Sequence, residues 1–113
     1  PMAVARLYYL LETGRLLSPR QTAMMKSILS RSALNHKFVR GLSDRCDADH
    51  IYRKSGSWST FHSDSALIEH DGRKYIAVAL TDDSQGIYWL ERLIKRMDRL
   101  VFANAPAERG WWF

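Results

Sequence analysis

His50-Ile51-Tyr52-Arg53-Lys54-Ser55-Gly56-Ser57 marks the point where the hydrophobic pattern of this chain changes its period. Before it the apolar spacing is helical. Here it becomes two, with Ile51, Arg53 and Ser55 on one face of a strand and Tyr52 and Lys54 on the other. More strands follow. Ser63 to His70 reads as the second, Asp71-Gly72 is a two-residue hairpin signal, and Arg73 to Thr81 is the third. The centre of the third, Ile76-Ala77-Val78-Ala79-Leu80, is apolar on both faces, which predicts a sheet covered on both sides.

Toward the N-terminus, Val4, Leu7, Tyr8 and Leu11 form the stripe of an amphipathic helix that Gly14 ends. Ser18-Pro19-Arg20-Gln21 opens a second helix: Ser18 is an N-cap, Pro19 suits the first helical position, and Gln21 completes a capping box. This helix is expected to run to about Ser30 and to bury Met25, Ile28 and Leu29. A helix pair joined this tightly is antiparallel or sharply angled. Arg31 to Asp49 shows no period and reads as a loop crossing to the sheet. Beyond the third strand, Asp82-Asp83-Ser84 offers caps and negative charge for a helix start. Leu90, Leu93, Ile94, Met97 and Val101 then line one side of a helix, with Glu91, Arg92, Lys95, Arg96 and Arg99 on the other. The fold class is therefore α+β: two N-terminal helices, a three-stranded antiparallel meander and a C-terminal amphipathic helix packed on the sheet. One domain is expected over residues 1–103, followed by a tail, 104–113, whose Trp111-Trp112-Phe113 end docks on the body or is a junction remnant.

Composition narrows the function classes. With 113 residues, 46% hydrophobic and 26% charged, the chain can build one core and is not disordered. A net charge of +5 raises nucleic acid as a partner, but the basic residues are scattered without a run of five, which argues against it. The lone Cys46 excludes an internal disulfide. It lies in the polar stretch Ser43-Asp44-Arg45-Cys46-Asp47, no histidine spacing makes it a nucleophile, and it reads as incidental. No apolar run is long enough to span a membrane. No motif calls for a cofactor or a metal. The chain opens on Pro1 and enters a helical pattern at once, without a signal peptide, so an upstream segment is expected to have been removed.

Lys54-Ser55-Gly56 at the head of a meander, behind a helix pair linked through Leu10 to Ser18 and ahead of an amphipathic helix, resembles the C-terminal third of the penicillin-recognising serine hydrolases. These are the serine β-lactamases and penicillin-binding proteins. The likeness spans roughly residues 2 to 103 and implies part of a β-lactamase-like α/β/α sandwich. The family's motifs are a nucleophilic S-x-x-K, an S-D-N element and a K-T-G strand. Here Ser55 replaces the threonine and keeps the hydroxyl. The resemblance implies that Lys54 is catalytic, raising the potential beside the nucleophile and easing proton transfer. It implies that Ser55 binds the substrate carboxylate and that Gly56 lets the substrate backbone lie against the strand. Ser57 would lend its backbone N–H to the oxyanion hole. Trp58, Thr60, Phe61 and His62 would rim the groove, Trp58 and Phe61 either stacking on substrate or packing as edge apolars. The plainer alternative leaves Lys54 and Ser55 as exposed strand residues without a role. Many of the β-lactamases carry an arginine near the start of the second strand that helps hold the carboxylate. His62-Ser63-Asp64 stands there instead, which argues against efficient β-lactam hydrolysis.

The companion motifs are missing. The residues three before each lysine are Ala23, Leu34, Ile51, Asp71 and Arg92, so there is no S-x-x-K. Ser43-Asp44-Arg45 and Ser63-Asp64-Ser65 both fail as S-D-N. A chain without the nucleophile loses nearly all acyl-transfer rate. The expectation is a fragment of a serine hydrolase acting on β-lactams or peptidoglycan-peptide-like amides. It would contribute the substrate-holding strand while its missing N-terminal part, or a second chain, supplies the nucleophile. The alternative is a non-catalytic binding or assembly module. In either case the face toward the missing part should be apolar, and the isolated chain should self-associate, as a dimer or by swapping elements. The family resemblance implies a periplasmic or cell-envelope location.

Overall fold

The structure is a computed structural model that describes residues 1–103 with their side chains and the backbone of 104 and 110–111. β1 (Ile51–Trp58), β2 (Phe61–His70) and β3 (Arg73–Asp82) form an antiparallel meander, and a short parallel strand β4 (Gly110–Trp111) follows beside Arg73 and Lys74. The expected tail thus adds backbone to the sheet edge. The docking of the Trp111-Trp112-Phe113 side chains lies outside the described residues. Asp71 and Gly72 have φ of 51° and 76°, the left-handed pair that a type I′ hairpin needs. The first hairpin turns at Ser59-Thr60 with Ser59 at φ 55°. No Gly or Asn marks that turn in the sequence, so β2 starts at Phe61, ahead of the expected Ser63.

Pairing Ile51↔Ile68, Arg53↔Ala66 and Ser55↔Asp64 gathers these residues on one face of the sheet. α3 (Phe38–Gly41) and α4 (Gly86–Asn104) cover that face, and Phe38, Leu42, Ile51, Ile68, Tyr75, Leu90, Ile94 and Val101 meet in its core. Full burial of each large aliphatic side chain stabilises by about 1.5–3 kcal/mol. Gly41 permits the α3–α4 contact, because a Cβ there would strike the Ile94 side chain and the Glu91 backbone. α1 (Met2–Glu12) and α2 (Pro19–Leu29) lie over the opposite face, completing helix–sheet–helix layers. The Ser18–Gln21 capping box forms as expected, and Gly14 at φ 72° follows α1.

Several expectations need correction. α2 buries no residue: Met25 and Ile28 are exposed and Leu29 is half-buried. Lys26 anchors this helix by pairing with Glu12 at 2.7 Å and Glu69 at 2.9 Å and lying over the Tyr52 ring. Its apolar side is only partly covered by the described residues. Val4 and Leu7 of α1 are likewise exposed, while Tyr8 and Leu11 are buried. The outer face of β3 is only half covered, with Leu80 exposed. On α4, Leu93 is exposed, and the buried stripe instead takes in Asp98, which accepts from Arg45, His70 and Tyr75 at 2.7 Å each. The expected loop over 31–49 holds α3, a 3-10 turn at Ala48–His50 and four buried residues from Lys37 to Leu42 besides Gly41 and the exposed Arg40: Lys37, Phe38, Val39 and Leu42. Cys46 is a core residue despite its polar neighbours in sequence.

Candidate active-site edge

β1 is an outer strand of the sheet, and the Lys-Ser-Gly triplet lies in its second half. Two side chains of β2 show which way its peptide groups point. Ser65 Oγ donates to the Lys54 carbonyl at 2.9 Å and Ser63 Oγ to the Gly56 carbonyl at 3.4 Å. Those carbonyls therefore face β2. In an antiparallel ladder the facing direction alternates, so the N–H and C=O groups of Ser55 and Ser57 face outward from the free edge. An extended ligand laid along β1 meets these groups first.

Two surface cavities flank this edge. One, of about 400 Å³, lies between α1, α2 and β1 and is walled by Leu7, Tyr8, Met25 and Leu29 with Lys54, Ser55 and Gly56 along its floor. Tyr8 is buried there, its hydroxyl within 3.1 Å of the Ser65 carbonyl, and burial raises its pKa above the ordinary phenol value. The other, of about 410 Å³, lies at the hairpin end and is lined by Gly56, Ser57, Trp58, Phe61, His62 and Thr81. Gly56 lines both, and a Cβ there would come within 3.0 Å of Ser63 Oγ.

The structure separates the expected site residues by face. Lys54 is exposed on the α1–α2 side, and its Nζ donates to the Ser55 carbonyl at 2.9 Å. Ser55 and Ser57 point to the α3 side, where Ser57 Oγ lies 2.9 Å from His62 Nδ1. Trp58 and Phe61 stack at 6.3 Å and 14° with both rings exposed, so they form a plate at the hairpin tip and belong to no core. Among the described residues no cluster of His, Cys, Asp or Glu is arranged to hold a metal.

Beneath β1 lies a set of groups that sequence reasoning missed. Arg53 and Asp64 form a buried pair: Nη2 meets Oδ2 at 2.8 Å and Nε meets Oδ1 at 3.2 Å, and both side chains are buried. Asp64 also accepts from the backbone N–H of Phe38 at 3.1 Å and of Ser65 at 3.0 Å. Arg53 reaches on to the Leu34 carbonyl at 2.7 Å and to His36 Nδ1 at 3.3 Å. A guanidinium only donates, so Nδ1 accepts and His36 is neutral there. Burial, with the charges of Arg53 and Lys37, holds its pKa below the usual imidazole range. Lys37 has no accessible surface, and its Nζ donates to the Gly56 carbonyl at 2.8 Å, to Ser57 Oγ at 2.8 Å and to the Ser63 carbonyl at 2.9 Å. Burial lowers its pKa from the ordinary lysine value, and Asp64 opposes that shift. The alternation of β1 did signal Arg53, a charge on the face of Ile51. Nothing in the patternless 31–49 stretch signalled Lys37.

Comparison with known proteins agrees with this architecture. The chain is similar to the solved structure of PBP-A, with a TM-score of 0.70 and 23% identity, over 88% of this chain and 38% of that one. At that identity the likeness concerns the fold, and this chain spans well under half the length of that protein. No match was found among curated proteins. The family model for the beta-lactamase enzyme family matches residues 1–104. On that match, covering all three strands of the meander and the helices on both of its faces, the chain belongs to the beta-lactamase enzyme family.

Proposed function

We propose that this chain supplies the substrate-holding edge of a serine hydrolase whose nucleophile lies outside these 113 residues, acting on β-lactams or on peptidoglycan-peptide-like amides. The observation that carries the reading is the free edge of β1. Lys54-Ser55-Gly56 stands on an edge strand whose outer side has no partner strand among the described residues, with outward N–H and C=O groups at Ser55 and Ser57 and cavities on both sides of Gly56. An extended amide can add to such an edge as a further strand. In this reading Lys54 supplies positive charge beside the nucleophile, Ser55 hydrogen-bonds the substrate carboxylate, and the Ser57 N–H serves the developing oxyanion. Trp58 and His62 rim the groove. Residues 1–103 then act as one part of a larger domain, in a protein of the periplasm or cell envelope.

The test is labelling of the full-length gene product with a fluorescent penicillin. Covalent, boil-resistant label that Gly56→Val greatly reduces supports the reading. Absence of label from a folded full-length protein overturns it and leaves the alternative, a non-catalytic binding module using the same edge. That alternative draws on the lack of any S-x-x-K in the chain and on Lys54 donating to the carbonyl next to it.

A further inference from the structure

α4 turns charge of one sign to the outside. Its two acidic residues point inward: Asp98 is fully buried against Arg45 and His70, and Glu91 faces Arg40 of α3 at 3.7 Å. The outer side carries Arg92, Lys95, Arg96 and Arg99, all exposed and crowded into about 100° of arc. None of the four pairs with a carboxylate among the described residues. A helix held in solvent for its own sake gains from acid–base pairs one turn apart. This face has the opposite. Arg92–Arg96 and Lys95–Arg99 are like-charge pairs at i, i+4, and each is unfavourable. The macrodipole does not offset them, since no basic residue lies in the last turn of α4. The isolated molecule gains nothing from this charge, whereas a partner of opposite sign would.

The same face also carries apolar surface. Tyr88 lies among the cations, while Trp89, Leu93 and Leu100 run along one flank, and all four are exposed. The helix has 19 residues and so extends about 28 Å. Cations on the outer arc of such a helix, with aromatic and aliphatic side chains beside them, suit the surface of a bilayer. Arg and Lys meet the lipid phosphates, and Trp, Tyr and Leu settle at the boundary between headgroups and acyl chains. A nucleic acid would use the cations and leave the leucines in water.

We infer that the outer face of α4 docks on an anionic lipid bilayer, with the helix lying in the plane of the interface. Each cation brought to such a surface raises affinity about fivefold. α4 packs on the α3 side of the sheet, so this docking leaves the apolar face of α1 and α2 clear. The inference is independent of reading β1 as a substrate edge.

The test is co-sedimentation of the full-length gene product with vesicles of phosphatidylcholine alone and of equal parts phosphatidylcholine and phosphatidylglycerol. The protein is expected to sediment with the anionic vesicles, to stay in solution with the neutral ones, and to be largely released as NaCl rises to about 0.5 M. Arg92→Gln combined with Arg96→Gln should weaken binding about twentyfold. The urea midpoint of that variant should stay level or rise, because a like-charge pair is removed. Trp89→Ser, which keeps every charge, should weaken binding as well. Absence of binding to anionic vesicles, which is also the result if another part of the longer protein covers this face, overturns the inference. Equal binding to both compositions or unchanged binding in the folded variants overturns it too. Tighter retention on double-stranded DNA than on anionic vesicles, with Trp89→Ser without effect, would overturn it in favour of nucleic acid.

Discussion

At the scale of single residues, buried polar groups decide most of what is specific to this molecule. Arg53 and Asp64 are fastened to each other and to the backbone on both sides. Removing one member of a buried pair leaves the other uncompensated and typically costs about 3–5 kcal/mol. Arg53→Met should lose about that much in urea unfolding, with the Lys37 socket disturbed because Asp64 would no longer hold Phe38 in place. Cys46 and Tyr75 give the molecule an alkaline weakness. Burial pushes the Cys46 thiol from 9.0 up to about 12, with Asp98 and Asp47 adding to it. Burial and the hydrogen bond to Asp98 also raise the Tyr75 phenol. Above about pH 9 the unfolded chain releases these protons while the folded chain keeps them, so stability is full below that pH and falls as pH rises toward about 12. The denaturation midpoint should drop between about pH 8 and about pH 11, less steeply in Cys46→Ala. Apart from Arg53, which the alternation of β1 sets on the face of Ile51, none of these groups announced itself beyond its residue type. A sequence shows where a charge lies along the chain, and only the fold decides whether a partner meets it.

At the scale of elements, the sequence was most legible where local chemistry acts alone. The Asp71-Gly72 turn, the Ser18–Gln21 box and the Gly14 stop form as read, because each is satisfied within a few residues. Ser59 was illegible, since the β1–β2 pairing imposes a left-handed conformation on a residue type that seldom signals one. α2 misled for a related reason: its apolar spacing is real, but the fold of the described residues leaves that side mostly exposed. The turn chemistry can be tested. Gly72→Val places a branched side chain at φ 76°, and a left-handed conformation costs an ordinary residue about 1–2 kcal/mol, more for a branched one. The variant should unfold at lower urea by at least that margin and without a change in m-value.

At the scale of the whole molecule, the two sides of the sheet differ. The α3–α4 side has a closed core. The α1–α2 side leaves Met2, Leu7, Met24 and Ile28 all more than half exposed. Together with Val4, Leu16 and Met25 they make an apolar face larger than isolated surface residues would give. The isolated chain is therefore expected to be a dimer by multi-angle light scattering. A strictly monomeric mass at high concentration would show that this face tolerates water. The family resemblance was legible from one triplet and the order of elements. The position of the Lys37 cation was not, because it depends on a lysine reaching β1 from a stretch without period.

One feature of this arrangement bears on proteolysis. The segment from Ser32 to His36 has almost no regular structure, yet the Arg53 guanidinium contacts Ser32, Leu34 and His36 within it. A protease must first detach a strap before it can cut it. Its cleavage rate should therefore follow the opening of the sheet and not the breathing of a loop. Trypsin should spare the bond after Arg31 in the folded chain and cut it quickly in Arg53→Met, which would make the digestion pattern a direct record of how often β1 lets go.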